Sequence, residues 1–257
     1  MASTIADDIC ACISFYSRLP VRPGADGYAM PDFARASWAA PIAGAAIGGV
    51  GASAILIGAI LHLPPFVAAT CAIGALALST GALHEDGLAD LADGFGGGAT
   101  RDQKLSIMRD SRLGAYGALA LCLTAFLRVF SLAAILQLGP WRAMLSIVAA
   151  SALSRAVGLI PLLTLFPARS DGAGASARTP SPSALRRALL IGAAIALTPL
   201  LGGATLAQTV VAQMAALGGA LGVSKLAERQ IGGYTGDVLG AAQQAAEIGV
   251  LIALSAM

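Results

Sequence analysis

Long apolar stretches without charge alternate with shorter polar segments along this chain. Residues 36–84 contain no Asp, Glu, Lys or Arg, and residues 188–224 are equally free of them. A helix that crosses a bilayer needs about 20 predominantly apolar residues, so each stretch can hold two crossings. The Leu63-Pro64-Pro65 and Gly202-Gly203 sequences are the natural turns, because proline cannot continue a helix and paired glycines mark turns.

Three further apolar segments complete this pattern: Gly114–Leu136, Ala143–Leu165 and Gly236–Met257. The chain is therefore predicted to be all-α, a polytopic integral membrane helix bundle in which residues 1–257 form a single transmembrane domain of about seven helices. Residues 5–19 are apolar but too short to cross a bilayer and begin with acids, which predicts an interfacial helix.

Composition supports the membrane interpretation and excludes several other classes of protein. Hydrophobic residues make up 57% of the chain and charged residues only 12%, whereas a soluble domain carries about 25% charge. A disordered chain would be poor in apolar residues. The net charge of +2 gives no basic excess of the kind that binds nucleic acid. Four cysteines lack the spacing of a zinc site.

The distribution of basic residues predicts the orientation in the membrane. Of the 16 Lys and Arg residues, 13 lie in the connections 1–35, 84–113, 166–187 and 225–236. Alternating spans place these four connections on the same side, and basic residues concentrate in cytoplasmic loops. We therefore expect an integral membrane protein whose four long connections face the cytoplasm.

An acidic cluster follows the second predicted span. Four of the 14 acids lie within residues 84–94, and Asp86, Asp90 and Asp93 fall on one helix face at i, i+4 and i+7. Stacked carboxylates repel each other, so a positive group should offset them. Oxygen ligands without His or Cys suit Mg²⁺, which is often held by one or two carboxylates and substrate phosphates. The alternative is a solvated acidic helix end.

A basic segment comes directly after these acids and contains Arg101, Lys104, Arg109 and Arg112. Guanidinium groups beside a metal site suit a diphosphate substrate, because they grip phosphate oxygens and neutralise the charge of a leaving group. The alternative interpretation is an ordinary positive loop on the cytoplasmic side.

A third polar cluster introduces the last span, where Asp237 follows Thr235-Gly236 and Glu247 lies inside the apolar segment. An acid inside a span costs on the order of 2.5 kcal/mol or more, so it is a functional candidate by default. Arg128 and Arg155 also lie within spans. A purely structural pair of Arg155 with Glu247 is the alternative.

Three motifs in order resemble the cobalamin synthase family. They are HEDGLADLADG, then RDQKLSIMRDSRLGAYG, then GGYTGDVLGA with Glu247 following; ISFYSRLPV and Ser154-Arg155 add to the likeness, which runs from about Ile13 to the C-terminus. The resemblance implies an integral membrane enzyme of the late vitamin B12 pathway. Such an enzyme is expected in the bacterial cytoplasmic (inner) membrane, with active-site segments 84–113 and 230–247 facing the cytoplasm. Such an enzyme joins adenosylcobinamide-GDP to α-ribazole or α-ribazole 5′-phosphate, releases GMP and requires Mg²⁺.

The residues and the resemblance together predict the members of the site. The predicted metal ligands are Asp86, Asp90, Asp93, Asp110 and Glu247; the catalytic residues are Asp237, Arg109 and Arg112; the substrate-binding residues are Arg101, Lys104, Ser111, Thr235 and Arg155. Two positions depart from the family pattern. Gln244 stands where a second Glu is expected, and Glu85 stands where the family often has an apolar residue.

Two other functions are compatible with acids in a membrane bundle. A CDP-alcohol phosphotransferase also begins its motif with Asp-Gly on a membrane helix, but Asp90 and the later glycine run depart from the pattern of that motif. A divalent-cation or proton-coupled transporter should carry its acids near the bilayer midplane between symmetric halves, and no internal repeat is visible here. The expected partners are the two substrates and the lipid bilayer, and the small-residue faces permit homo-oligomers.

Overall fold

The computed structural model describes residues 4–21, 32–170 and 179–256. Within them the longer helices are α1 (Ile5–Tyr16), α2 (Ala40–Ile60), α3 (Pro65–Thr80), α4 (Leu83–Gly97), α5 (Arg101–Ile107), α6 (Ala115–Gln137), α7 (Pro140–Val157), α8 (Pro182–Ile195), α9 (Leu206–Ile231) and α10 (Gly236–Ser255). Short helical turns lie at Phe33–Ala36, Ser37–Ala39, Pro161–Thr164 and Thr198–Gly202. The described chain forms no strands, and the predicted all-α class is confirmed.

Most of these helices are long and apolar enough to cross a membrane. Among the described residues, six helical segments pass this test singly: Phe33–Ile60, Ala115–Gln137, Pro140–Thr164, Pro182–Gly202, Leu206–Ile231 and Gly236–Ser255. Helices α3 and α4 pass it only as a pair, which is bent by 89° at the break between them. Counting the pair as one crossing gives seven, so the prediction of a polytopic bundle of about seven spans is confirmed.

Helices α7 and α10 form the centre of the bundle. In the most apolar part of the segment Pro140–Thr164, 83% of the residues are buried, compared with 67% for α10 and 22% for α9. Large apolar side chains such as Leu78, Phe126 and Leu190 are exposed on the outer helices. An outer surface of this kind suits lipid rather than water.

Small residues allow the central helices to approach closely. A Cβ atom on Gly44 of α2 would lie 2.3 Å from the carbonyl oxygen of Ser151 in α7, and one on Gly48 would lie 2.7 Å from the Cα of Val148. A larger residue at either position would push the two helices apart. The Gly44-x-x-x-Gly48 pattern therefore serves helix packing.

Helix α1 packs across the start of α2 through a buried acid. Asp8 accepts a hydrogen bond from the indole Nε1 of Trp38 at 2.9 Å and pairs with Arg35 at 2.7 Å. Burying a carboxylate is costly unless it is paired, and these two partners compensate it. The N-terminal helix is thereby fixed to the bundle beside α4, where Tyr16 stacks on His84.

Helix α4 lies between α6 and α10. Glu85, near its start, contacts Arg128 in the middle of α6, whereas Asp93 contacts Gly114 and Gly117 at the beginning of α6. Helix α4 therefore runs antiparallel to α6 and returns towards the first turn of that helix. From the sequence, residues 84–113 are expected to connect two spans. In the structure, the first half of this segment packs inside the bundle, where Glu85 forms an ion pair with the buried Arg128.

Candidate active site

The acidic helix α4 begins at a sharp change of direction. Gly81 and Ala82 both have left-handed backbone conformations, with φ of 64° and 57°, and they redirect the chain between α3 and α4. Asp86 is exposed and Asp90 is half-buried on the same side of the new helix, and Asp93 follows one turn later and is buried. The helix ends at Gly97, within the glycine-rich residues 94–98.

Helix α10 brings a further acid, Asp237, to this face of α4. A Cβ atom on Gly87 would lie 3.1 Å from the Cα of Asp237, and one on Gly240 would lie 3.3 Å from the carbonyl oxygen of His84. Only glycine allows the two backbones to approach this closely. Asp237 lies in the first turn of α10, whose N-terminus Thr235 caps by accepting a hydrogen bond from the Val238 amide.

Negative charge accumulates where these two helices meet. The negative charges of Asp86, Asp237 and Asp93 repel the carboxylate of Asp90, whereas the positive charge of Arg169 attracts it. The negative charge of Asp86 also repels the carboxylate of Asp237. We call Asp86, Asp90 and Asp237 the boundary acids. Because the boundary acids outnumber their basic neighbour, the meeting point of α4 and α10 carries surplus negative charge.

Asp93 has a different environment from the boundary acids. Its two oxygens accept hydrogen bonds from the backbone amides of Gly114 and Gly117, at 2.7 Å and 2.8 Å. A Cβ atom on either glycine would lie within 2.4 Å of this carboxylate. A carboxylate at a helix N-terminus satisfies orphan N–H groups and the helix dipole. Asp93 thus fixes α4 to α6, and as a metal ligand it would have to share these oxygens.

Two other predicted metal ligands also have partners of their own. Asp110 forms an ion pair with Arg112 at 2.5 Å on the connection after α5, and the hydrogen bonds from Arg112 lower the pKa of Asp110. Glu247 is buried in α10 and pairs with Arg128 at 2.6 Å. Among the described residues, no three His, Cys, Asp or Glu side chains are arranged as a ready set of metal ligands.

Arg169 is a site residue that the sequence did not single out. Its Nη2 atom lies 3.6 Å from Oδ2 of Asp237, and its buried Nη1 atom has no hydrogen-bond partner within residues 4–21, 32–170 and 179–256. Hydrogen bonds between the 166–168 segment and Tyr234 fix this loop beside the start of α10. Residues 168–183 are polar, which is typical of a simple connector, so their composition gave no signal of this contact.

The predicted basic segment divides into two parts. Arg101 donates from Nε to the Ile231 carbonyl at 2.9 Å and from Nη2 to the Ala168 carbonyl. Lys104 donates to the side-chain oxygen of Gln230. These two residues tie α5 to the end of α9, whereas Arg109, Ser111 and Arg112 are exposed on the following connection.

A buried network of charged and amide side chains links α4, α6, α7 and α10. Arg128 donates to Glu85 at 2.7 Å and to Glu247 at 2.6 Å, and Arg155 lies 3.9 Å from Glu247. Gln244 donates to Glu85 at 3.3 Å. We call Glu85, Arg128, Arg155, Gln244 and Glu247 the interior network. Its two acids and two arginines balance, so the structural pairing considered for Arg155 and Glu247 is present.

A cavity of about 170 Å³ lies beside the boundary acids, between α1, α4, α7 and α10. Asp86, Asp237 and Arg155 are among the residues that line it. The rest of the wall is mainly apolar and includes aromatic side chains of the N-terminal region. The site therefore combines the boundary acids, the arginines Arg155 and Arg169, and an apolar recess.

The chain is similar to one family of known proteins over nearly its whole length. Residues 8–255 match the family described as cobalamin-5-phosphate synthase. The chain is 50% identical to an adenosylcobinamide-GDP ribazoletransferase from Azorhizobium caulinodans, over 97% of this chain and 96% of the relative. It is 47% identical to the protein of the same name from Xanthobacter autotrophicus, over 96% of this chain and 97% of the relative. No solved structure matches it significantly.

Proposed function

This chain belongs to the cobalamin-5-phosphate synthase family, and on that premise we propose that it is an adenosylcobinamide-GDP ribazoletransferase. In the proposed reaction, a hydroxyl oxygen of α-ribazole or its 5′-phosphate bonds to the phosphorus that carries cobinamide. The bond from this phosphorus to the GMP oxygen breaks, and GMP leaves with the electron pair. The hydroxyl proton passes to a base or to water, and the product is adenosylcobalamin or its 5′-phosphate.

One observation supports this site above the others: α4 and α10 bring the boundary acids together. Gly87 and Gly240 allow the close approach, and the resulting cluster has an excess of negative charge. A diphosphate is itself negative, so acids alone would repel the substrate. A cluster of this kind suits phosphoryl transfer only if a cation binds with the substrate.

Mg²⁺ fits the donors of the boundary acids. All three are hard carboxylate oxygen donors, and Mg²⁺ is usually held by one or two carboxylates together with substrate phosphates and water. A complete protein cage is therefore not needed. We propose that two of the boundary acids, Asp86 and Asp90, hold Mg²⁺, which when bound would neutralise charge on the diphosphate, whereas Asp237 serves in proton transfer. Asp93, Asp110 and Glu247 are not included in this set. Asp93 accepts hydrogen bonds from backbone amides, and Asp110 and Glu247 form ion pairs with arginines.

Two side chains around Asp237 have proposed roles in the transfer. Thr235 donates a hydrogen bond to Oδ2 of Asp237 at 3.0 Å and keeps this carboxylate oriented. Asp237 is the proposed acceptor of the hydroxyl proton. Arg169, whose buried Nη1 atom has no partner in the described part of the chain, is proposed to bind a phosphate oxygen, because guanidinium groups are strong donors to phosphate.

The exposed basic connection is proposed to meet the leaving group. Arg109 and Arg112 would neutralise charge on GMP, and Ser111 would donate to it. Arg101 and Lys104 would act indirectly, since their bonds to Ile231 and Gln230 fix α5 beside the start of α10. The distribution of basic residues supports a cytoplasmic position for this face of the bundle.

The two alternative functions are not proposed. The family match extends over residues 8–255, and the curated relatives described above carry a transferase name. For a transporter, the acid in the bundle interior should be available to its cargo. Glu247 is instead neutralised by Arg128 and Arg155.

Release of GMP from adenosylcobinamide-GDP by the full chain purified in detergent tests this function. We expect release that requires both α-ribazole and Mg²⁺, with incorporation of the ribazole into the corrinoid product. EDTA should stop the reaction and added Mg²⁺ should restore it. Ribazole-independent GMP release, or full activity in EDTA, would contradict the proposal.

A further inference from the structure

The cavity beside the boundary acids has a wall suited to an aromatic ligand. Seven apolar side chains contribute to it: Phe15, Tyr16, Phe33, Leu83, Leu159, Leu162 and Leu239. The Phe15 and Phe33 rings meet edge to face at 5.1 Å, and the Tyr16 ring is stacked on His84 at 5.8 Å. Rings held by one another in this way form a preformed apolar surface against which a flat ligand can pack.

Few polar atoms of the wall are available to a ligand. Gln243 donates to Ser154 at 2.9 Å and to Glu247 at 2.8 Å, so its amide group is used inside the protein. Arg155 is different: it is 3% exposed and donates from Nη1 to the Ser151 carbonyl at 2.9 Å. Its buried Nε–H has no hydrogen-bond partner among the residues that the structure describes. A buried donor without a partner is costly and calls for an acceptor.

We propose that this cavity binds the base of the acceptor nucleoside, a planar and mainly apolar bicyclic ring with one acceptor nitrogen. This inference rests on the proposed function. The base of α-ribazole is a dimethylated benzimidazole, which has one ring nitrogen free once the other carries the ribose. The aromatic wall suits its faces and methyl groups, and the Nε–H of Arg155 is the donor for its free nitrogen. The ribose then lies towards Asp86 and Asp237.

The other groups of the two substrates suit this cavity less well. Guanine carries several donors and acceptors, most of which an apolar wall would leave unpaired. The corrin macrocycle is far too large for a volume of about 170 Å³. A base in the cavity also leaves the open side of the boundary acids free for the diphosphate, so both substrates can bind together.

Variants of Phe33 test the proposal with separate measurements for each substrate. Phe33 is 3% exposed and belongs to a short helical turn beside α1. We expect Phe33→Ala to raise the KM and the Kd for α-ribazole roughly tenfold, because an apolar contact with the base is lost. The KM for adenosylcobinamide-GDP should change less than about twofold. The matched control is Phe126→Ala, since Phe126 is exposed on the outside of α6.

Substrate analogues test the same site in the unmodified protein, where folding is not in question. The riboside of benzimidazole without methyl groups and the riboside of dimethylindole, which lacks the acceptor nitrogen, should both bind more weakly than α-ribazole. Arg155→Gln should reduce the difference between α-ribazole and the indole analogue. Equilibrium binding without Mg²⁺ provides a readout that does not depend on turnover.

The outcomes separate this inference from the proposed function. If GMP release occurs but Phe33→Ala changes only the KM for adenosylcobinamide-GDP, the cavity binds another part of that substrate and the inference is wrong. Unchanged constants for both substrates, or a co-purified lipid that α-ribazole does not displace, would also overturn it. Absence of any transferase activity, with intact binding of α-ribazole, would contradict the proposed function alone.

Discussion

Asp237 and Glu247 belong to the same helix, α10, but their surroundings are different. Glu247 is 2% exposed and has two guanidinium neighbours, Arg128 at 2.6 Å and Arg155 at 3.9 Å. Asp237 lies at the first turn, next to Asp86, and its ion pair with Arg169 is longer at 3.6 Å. One acid is neutralised inside the bundle, and the other belongs to a cluster with surplus negative charge.

This contrast separates two uses of acids in a membrane bundle. An acid inside a span is a functional candidate by default, because burial of an unpaired charge is costly. In the interior network the acids and arginines balance, so the charges stabilise the packing of four helices. The boundary acids carry more negative charge than Arg169 can neutralise, so we expect a cation from solution to bind there. Charge balance, rather than depth, distinguishes the two regions.

Loss of the central arginine should have the largest effect on folding. Arg128→Met leaves Glu85 and Glu247 without their shortest ion pairs, and breaking a buried pair typically costs about 3–5 kcal/mol. We expect a large drop in the thermal unfolding midpoint of the protein in detergent. Arg229→Met, at an exposed position in the last turn of α9, is the control and should change little. Equal stability of the two variants would contradict a structural role for the interior network.

A methyl group at the junction of α4 and α6 should have the next largest effect. In Gly117→Ala, the new Cβ would lie 2.3 Å from an oxygen of Asp93, and overpacking of this kind costs about 1–3 kcal/mol. We expect a lower unfolding midpoint and weaker catalysis, since α4 carries two boundary acids. Gly218→Ala on α9 is a matched control with open space around the new atom. If both variants have the same midpoint, Asp93 does not fix α4.

The two departures from the family pattern should be energetically coupled. Gln244 donates to Glu85 at 3.3 Å, so the amide and the unexpected acid contact each other. Glu85→Leu removes one acid from the interior network and Gln244→Glu adds one, so each single change unbalances its charge. The double variant restores the balance, and we expect it to be more stable than the sum of the single changes predicts, by about 1 kcal/mol. Additive effects in the double-mutant cycle would mean that the two positions are independent.

A boundary acid should oppose folding slightly when no cation is present. Asp90→Asn removes repulsion from Asp86 and Asp237, so it should stabilise the protein in EDTA by a few tenths of a kcal/mol. Mg²⁺ should raise the unfolding midpoint of the wild type more than that of this variant. A decrease in stability in EDTA would show that Asp90 is balanced like Glu247, and the contrast between the two regions would then fail.

The bundle could be predicted from sequence because its signals are local. Uncharged stretches such as residues 36–84 are much longer than a typical helix of a soluble protein, and the spacing of Gly44 and Gly48, which contact α7, is a local pattern typical of close helix packing. The position of α4 was not predicted. Because α4 is polar, the pattern of apolar residues predicts that it lies outside the spans. Its position inside the bundle is explained by the ion pair between Glu85 and Arg128, which the pattern does not reveal.

The site could be predicted only in part, for a related reason. The spacing of Asp86, Asp90 and Asp93 predicts that they share one helix face. It does not predict that the backbone amides of Gly114 and Gly117 donate hydrogen bonds to Asp93. Arg169 lies in a polar loop whose position depends on backbone bonds to Tyr234. Such contacts arise from tertiary structure, and no periodic pattern in the sequence reveals them.

The dependence of GMP release on Mg²⁺ in Asp90→Asn tests the central claim most directly. Asp102→Asn is the control, because Asp102 is 92% exposed on α5 and outside the boundary acids. If the boundary acids hold Mg²⁺ against the diphosphate, Asp90→Asn should lose roughly a hundredfold or more of the rate at any Mg²⁺ concentration tested, while the control retains it. A rate for Asp90→Asn within about twofold of wild type at the same Mg²⁺ concentrations would contradict the account.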